Sequence, residues 1–269
     1  MSTASAPLWY CGASRTSRRC RWRDTGFVYT LPETSSRVSL VSLLWPPSLW
    51  RLTRESDPLR LLAELTADEK PFRTLVHVGA HLAQERQRYE DMGYRDVLWI
   101  EGSPAVYARL SEILGAEAAN ATCRQRAVCA LVSDREGEEA ELRQTSNDGM
   151  SSSLFPLGSR HRSSFRGVTE TGTREKARTR TLDSIAQEYG LLGAIDTLIV
   201  DVQGAELLAL KGAEQVLKSA RAVISEVSRG RFYQGGAQFG DVRKFLKKRG
   251  FVPMSRPPRH GDVLFLPPR

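Results

Sequence analysis

The chain has 269 residues, 41% of them hydrophobic and 26% charged, with a net charge of +8, an ordinary globular composition sufficient for one large α/β domain or two small ones. Nine Arg and four acids fall in residues 1–60, against 30 basic and 27 acidic residues beyond, so the basic excess belongs to the N-terminal stretch and does not mark a nucleic-acid surface on the domain. Cys11, Cys20, Cys123 and Cys129 show neither CxxC spacing nor a nearby His cluster, which argues against a disulfide framework or zinc site and for a reducing, cytoplasmic setting.

Residues 1–55, rich in Ser, Arg and Trp, show no helical or strand period and read as a disordered basic extension. Their apolar run, VSLVSLLWPPSLW, is cut by Pro46 and Pro47, short of the roughly 20 residues a membrane span needs. No small-residue cleavage site follows it, so a signal peptide is not indicated. The extension is expected to be dispensable, either a misplaced translation start or an Arg-rich targeting segment.

The domain is expected over 56–269. Leu59, Leu62, Ala63 and Leu65 recur at helical spacing behind Pro58. RTLVHVGA is a strand and HLAQERQRYEDMG a helix closed by Gly93. RDVLWIEG is a second strand, and SPAVYARLSEILG a helix with Ser103 at the N-cap and Pro104 behind it. ATCRQRAVCALV is a third strand. A polar insertion over 133–180 interrupts the rhythm, with EEAELRQ as a short added strand. IDTLIVDVQG and RAVISEV are the fourth and fifth strands, separated by one helix over AELLALKGAEQVLKS. FGDVRKFLKKRG is a further helix, and the chain ends in two strands joined by a turn. Strands alternating with helices of this length predict βαβ units. The fold class is therefore α/β, a Rossmann-like, doubly wound, seven-stranded, mostly parallel sheet with a C-terminal β-hairpin.

In such sheets ligands collect beyond the carboxyl ends of the strands. The first strand ends at Gly79, and Ala80, His81, Leu82 and Ala83 follow, so bare backbone can approach a nucleotide there. Ala83 stands where a second glycine is common, so the dinucleotide fingerprint is incomplete. Glu101 ends the second strand about 20 residues on, where an acid bonds ribose hydroxyls. Together these point to an adenosine-containing cofactor without separating a dinucleotide from S-adenosylmethionine. Asp201 ends the fourth strand, Gly204 and Glu206 open the next helix, and Glu226 ends the fifth strand. A partly desolvated carboxylate at that edge is a candidate for chemistry. No metal site is expected, because His77 has no partner ligand at useful spacing.

VHVGAHLAQE, VLWIEGSPAVYARL, RTLDSI, IDTLIVDVQGAELLALKGAEQVL, ISEV and FLKKRGF resemble, in content and order, the FkbM-type methyltransferases from about Phe72 to Phe251. The resemblance implies the class I fold of S-adenosylmethionine-dependent methyltransferases and O-methylation of a small molecule, sugar or glycan. It also implies that Gly79 with its neighbours His77, Ala80 and His81 lines the methionine moiety. Glu101, with Gly102 behind it, would hold the ribose, and Asp201 would lie near the transferring methyl. Two departures stand out: His77 replaces the usual first-strand acid, and Ala83 the second glycine.

Methyl transfer is an in-line displacement that needs alignment and dryness more than covalent help. Asp201 is the first candidate base toward an acceptor hydroxyl, with His81 and Glu226 behind it. The insertion is the expected acceptor surface, through Asn147, Ser151, Ser152, Ser153 and His161, joined by Glu206. Three alternatives remain at this stage. They are a nicotinamide-dependent oxidoreductase, a binding module that has lost the cofactor, and a nucleic-acid methylase.

Overall fold

The computed structural model describes residues 10–14, 17–21, 28–31, 57–117 and 122–268, in two units divided at 44/45. In the first unit β1 (Tyr10–Ser14), β2 (Ser17–Arg21) and β3 (Val28–Leu31) form an antiparallel three-stranded sheet. The sequence had pointed to coil here, because such short strands leave no readable period. The apolar run at 38–50 lies outside the described residues.

The second unit carries the doubly wound sheet. Its first part runs α1 (Pro58–Leu65), β4 (Thr74–Val78), α2 (Arg86–Asp91), β5 (Asp96–Glu101), α3 (Pro104–Glu117) and β6 (Arg124–Cys129). The stretch read as one third strand continues past β6 as β7 (Leu131–Val132), and the insertion follows as β8 (Glu139–Thr145), α4 (Ser159–Ser164) and β9 (Glu170–Arg180). The second part runs α5 (Leu182–Glu188), β10 (Thr197–Val200), α6 (Glu206–Lys211), α7 (Glu214–Ser219), β11 (Ala222–Ser228), α8 (Phe239–Lys247), β12 (Val252–Pro253) and β13 (His260–Leu266). The sheet order is β12-β13-β11-β10-β4-β5-β6. All pairings from β11 to β6 are parallel, and β13 alone runs antiparallel to its neighbours.

Strand periodicity sorts the core into two layers. On one face Val76, Leu98, Ile100, Leu198 and Val223 pack under α5 to α8. On the other, Leu75, Val97, Trp99, Ile199 and Ile224 pack under α1, α2 and α3. Both faces of the central strands are therefore buried, as near-continuous apolar runs such as TLIV require. Register is pinned at the amino ends, where Asp196 accepts the backbone N–H of Arg73 at 2.7 Å and of Thr74 at 3.1 Å. Among the described residues no helix is long and apolar enough to cross a membrane.

Two helices differ from the sequence reading. Helix α2 starts at Arg86, later than predicted, because His81 (φ +45°) and Ala83 (φ +53°) are left-handed and a right-handed helix cannot include them. The single helix expected after β10 is two, broken at Gly212. There the chain passes so close to β7's exit that a Cβ would lie 2.3 Å from the Ser133 carbonyl oxygen.

Candidate active site

The parallel register does most of the placing. Val78 pairs with Val200 and with Ile100, and Val200 pairs with Ser225. The next residues along, Glu101, Gly79, Asp201 and Glu226, therefore stand in one row across the carboxyl edge. The row straddles the β4–β10 boundary, where the winding of the sheet reverses, the position at which open α/β sheets bind ligands. A cleft of about 520 Å³ lies above it, lined by Gly79, His81, Glu101, Gly102, Asp201 and Gln203 among others.

Gly79 is bare by necessity. Its φ is +88°, and a Cβ there would sit 1.7 Å from the Asp201 carbonyl oxygen. The N–H groups of Gly79 and Ala80 both donate to the Ile100 carbonyl, at 2.9 and 3.0 Å, so the turn is tied to β5 as well. Glu101 is only 9% exposed. Its two oxygens accept the backbone N–H of His81 at 2.9 Å and of Ser103 at 2.8 Å. Burial raises its pKa and these amides oppose the rise. A carboxylate fixed in this way keeps free lone pairs toward the cleft and can accept from a diol. His77 is in the cleft wall too, buried against Trp99 and Tyr89, with Nδ1 3.0 Å from the Tyr89 hydroxyl. Burial depresses its pKa to about 4, so it is neutral.

His81 is placed differently from a base. Its Nε2 donates to the Asp148 carbonyl at 3.0 Å, and its Nδ1 accepts from the Gln84 amide at 2.7 Å. With both ring nitrogens engaged, it latches the insertion over the cleft. Asp148 also takes a two-pronged contact from Arg109, at 2.7 and 3.0 Å.

At the other end of the row the acids gather. Asp201 lines the cleft, whereas Glu226 is buried behind it and outside the lining. The Gln203 side-chain amide donates to Asp201 Oδ1 at 2.6 Å and to Glu226 Oε2 at 3.0 Å. On its far side Glu226 lies 3.2 Å from Nε2 of His260, whose Nδ1 is 2.9 Å from the Ser228 hydroxyl. Burial raises the pKa of Asp201 and of Glu226, and for Glu226 the neighbouring Asp201 and Glu206 charges add to it. Burial also brings His260 down to about 4. Glu206, expected at the acceptor, is instead 3% exposed beneath the loop. It accepts the N–H groups of Gly204 at 2.8 Å and Val202 at 3.2 Å, and burial lifts its pKa to about 8. Carboxylate oxygens of Asp201, Glu206 and Glu226, the three acids expected at this edge, lie within 4.8 Å of one another. The Gln203 amide already bridges the outer pair, and we assign no cation there.

Of the residues expected to meet an acceptor, Ser152 lines the cleft, together with Gly149, Met150 and Leu154. Asn147, Ser151 and Ser153 do not, because their polar groups tie the insertion together. Asn147 bonds Thr145 and Ser151, and Ser153 donates to the Gln203 carbonyl at 2.6 Å. His161 is fully buried between Phe165 and Tyr233, with neither ring nitrogen hydrogen-bonded. Sequence reasoning missed Gln203, Tyr233 and His260. For Gln203 there was a signal, its place between a strand-end acid and a glycine; for the other two, Tyr233 from the loop after β11 and His260 from the start of β13, there was none.

The FkbM methyltransferase domain matches residues 77–253, the span that builds this edge. The 2-O-methyltransferase NoeI of Sinorhizobium fredii (strain NBRC 101917 / NGR234) is 27% identical over 202 residues, covering 73% of this chain and 80% of NoeI. Among solved structures, magnesium protoporphyrin IX methyltransferase (ChlM) from Synechocystis PCC 6803 with bound SAM is 14% identical, with a TM-score of 0.43 over 87% of this chain and 86% of that one. A TehB-like SAM-dependent methyltransferase from Corynebacterium glutamicum is 13% identical, with a TM-score of 0.39 over 79% and 87%. The domain match, falling on the strands whose ends form the cleft, places the chain in the FkbM methyltransferase family.

Proposed function

We propose that the chain methylates a hydroxyl oxygen of a small molecule, sugar or glycan, with Asp201 as general base. The observation that carries this is one carboxylate in the cleft wall, next to the bare Gly79 turn and backed by a second acid. S-adenosylmethionine supplies an electrophilic methyl on sulfur.

The residues present fit that donor. A cleft of about 520 Å³ is within the usual range for small-molecule sites. Gly79 leaves main chain open to close approach, and Glu101 offers its remaining lone pairs to the ribose hydroxyls. Leu131 and Leu142 supply apolar wall beside Gly102, suited to an adenine face. Loop 147–152, held by His81 and Arg109, lines one side of the cleft through Gly149, Met150 and Ser152, where it would limit the access of water. Asp201 is then placed to take the acceptor's proton as the new oxygen–carbon bond forms. The similarity to NoeI, a 2-O-methyltransferase, supports oxygen as the atom modified.

The test is methyl transfer from S-adenosylmethionine to a panel of methyl glycosides of the common hexoses, with the new methyl located by NMR. An O-methyl product is expected, and Asp201→Asn should lower turnover about 10²- to 10⁴-fold while S-adenosylhomocysteine binding changes less than about threefold. A methyl on nitrogen or carbon, or full turnover by Asp201→Asn, contradicts the proposal.

A further inference from the structure

Asp201 and Glu226 are neighbours at the ends of β10 and β11, Glu226 buried and Asp201 half-buried in the cleft wall, and one side-chain nitrogen reaches them both. Two carboxylates that close in a desolvated place do not both ionise. Something must decide which of them holds the charge and aim it. The residue between them is built for that at some expense. Gln203 has φ +53°, a conformation costing a non-glycine residue about 1–2 kcal/mol. Observed strain of this kind is a reason to look for a role.

The strain is held by specific packing. Gly204 follows with φ +99°, and a Cβ there would lie 2.8 Å from Tyr233 ring carbons. The bare glycine thus lets Tyr233 lie against the main chain, and from there the Tyr233 hydroxyl donates to Gln203 Oε1. That bond fixes the amide's orientation, leaving Nε2 to face the acids. From the insertion, Ser153 donates to the Gln203 carbonyl at 2.6 Å. Each polar group of the Gln203 side chain therefore has a dedicated partner, and two of those partners are the acids of the edge row.

Resting on the donor assignment above, we propose that Gln203 is a positioning residue. Its amide clamps Asp201 and Glu226 as a pair sharing one proton, so that Asp201, the member in the cleft wall, carries the negative charge toward the sulfonium of the donor. Glu226 takes the neutral role, being the more enclosed of the two and outside the cleft lining. The Gln203 N–H on Asp201 stabilises the charged form there.

The charge has a readout that needs no acceptor. S-adenosylmethionine carries a sulfonium that S-adenosylhomocysteine lacks, so the ratio of their affinities reports the charge beside the methyl. Calorimetry on the full chain should show that Gln203→Leu lowers the preference for S-adenosylmethionine over S-adenosylhomocysteine about tenfold, with S-adenosylhomocysteine affinity within about threefold of wild type. Asp201→Asn should lose the preference equally, and Glu226→Gln should keep it. Tyr233→Phe, which leaves the amide in place but unanchored, should lose part of it. Together with Gln203→Leu it should add nothing further. It also serves as the second variant if Gln203→Leu does not fold, as judged by its melting curve. A wild-type ratio preserved in Gln203→Leu, or preference lost in Glu226→Gln but not in Asp201→Asn, overturns the inference while leaving the methyltransferase assignment intact. Failure of wild type to bind either compound overturns both.

Discussion

Substituting Gly79 by Ala sets a single methyl against the main chain of the neighbouring strand. The added carbon would stand 1.7 Å from the Asp201 carbonyl oxygen and 2.7 Å from its carbonyl carbon, where ordinary contact begins at 3.4 Å. The obstacle is backbone, so no side chain can swing aside. It is also anchored, because the Asp201 N–H donates to the Val78 carbonyl at 2.9 Å and the Gly79 N–H to Ile100 at 2.9 Å. Relief requires displacing the end of β4 from β10 and from β5, with loss of both bonds at about 1 kcal/mol each. The left-handed φ adds about 1–2 kcal/mol for a residue with a Cβ. The variant should therefore be destabilised by roughly 3–4 kcal/mol in urea denaturation, and S-adenosylhomocysteine binding should fall with the widened turn. Gly115→Ala is the matched control. It lies in α3 with nothing within 4 Å of the added carbon, and should gain about 0.5–1 kcal/mol from helix propensity. Equal stability and equal binding for Gly79→Ala and wild type would refute the account of this turn.

Glu206→Gln should change how stability varies with pH. The buried carboxyl holds its proton up to about pH 8, while the unfolded chain releases it near the ordinary glutamate value. Wild type therefore loses stability as pH rises through that window, by about 2–3 kcal/mol between pH 5.5 and 7.5. The variant lacks that component, so its denaturation midpoint should fall less over the same range; parallel curves would contradict the assignment. His81→Ala keeps the backbone amide on Glu101 but removes the imidazole from the Asp148 carbonyl. Hydrogen exchange at amides 146–152 should speed up about tenfold, and unchanged exchange would show that the latch holds nothing.

The fold was legible because its signals are local. TLVHV, DVLWIE, TLIV and AVISEVS are apolar runs separated by helices with readable ends, and alternation of the two specifies a parallel sheet. Glu101 was legible from its distance to Gly79, since one βαβ unit has a nearly fixed length. What escaped the sequence depends on contacts between distant segments. Whether the histidine at 81 faces a substrate or an insertion 67 residues on is a tertiary fact. Ser151 and Ser153 look like hydroxyls on offer, but folding spends them on Asn147 and on Gln203. Gln203 stands in the sequence between a strand-end acid and a glycine, but its role shows only when the register brings Asp201 and Glu226 within reach of one amide. The break at Gly212 has the same origin, a close approach by a strand exit about 80 residues earlier in the chain.

Central to the account is the place of the methyl donor. A crystal of the full chain grown with S-adenosylhomocysteine tests it most directly. The ribose hydroxyls should meet the Glu101 carboxylate, the methionine portion should lie against the Gly79 turn, and the sulfur should be directed at Asp201. Density for the compound elsewhere on the molecule, with the Glu101 carboxylate making no contact to it, would contradict the account.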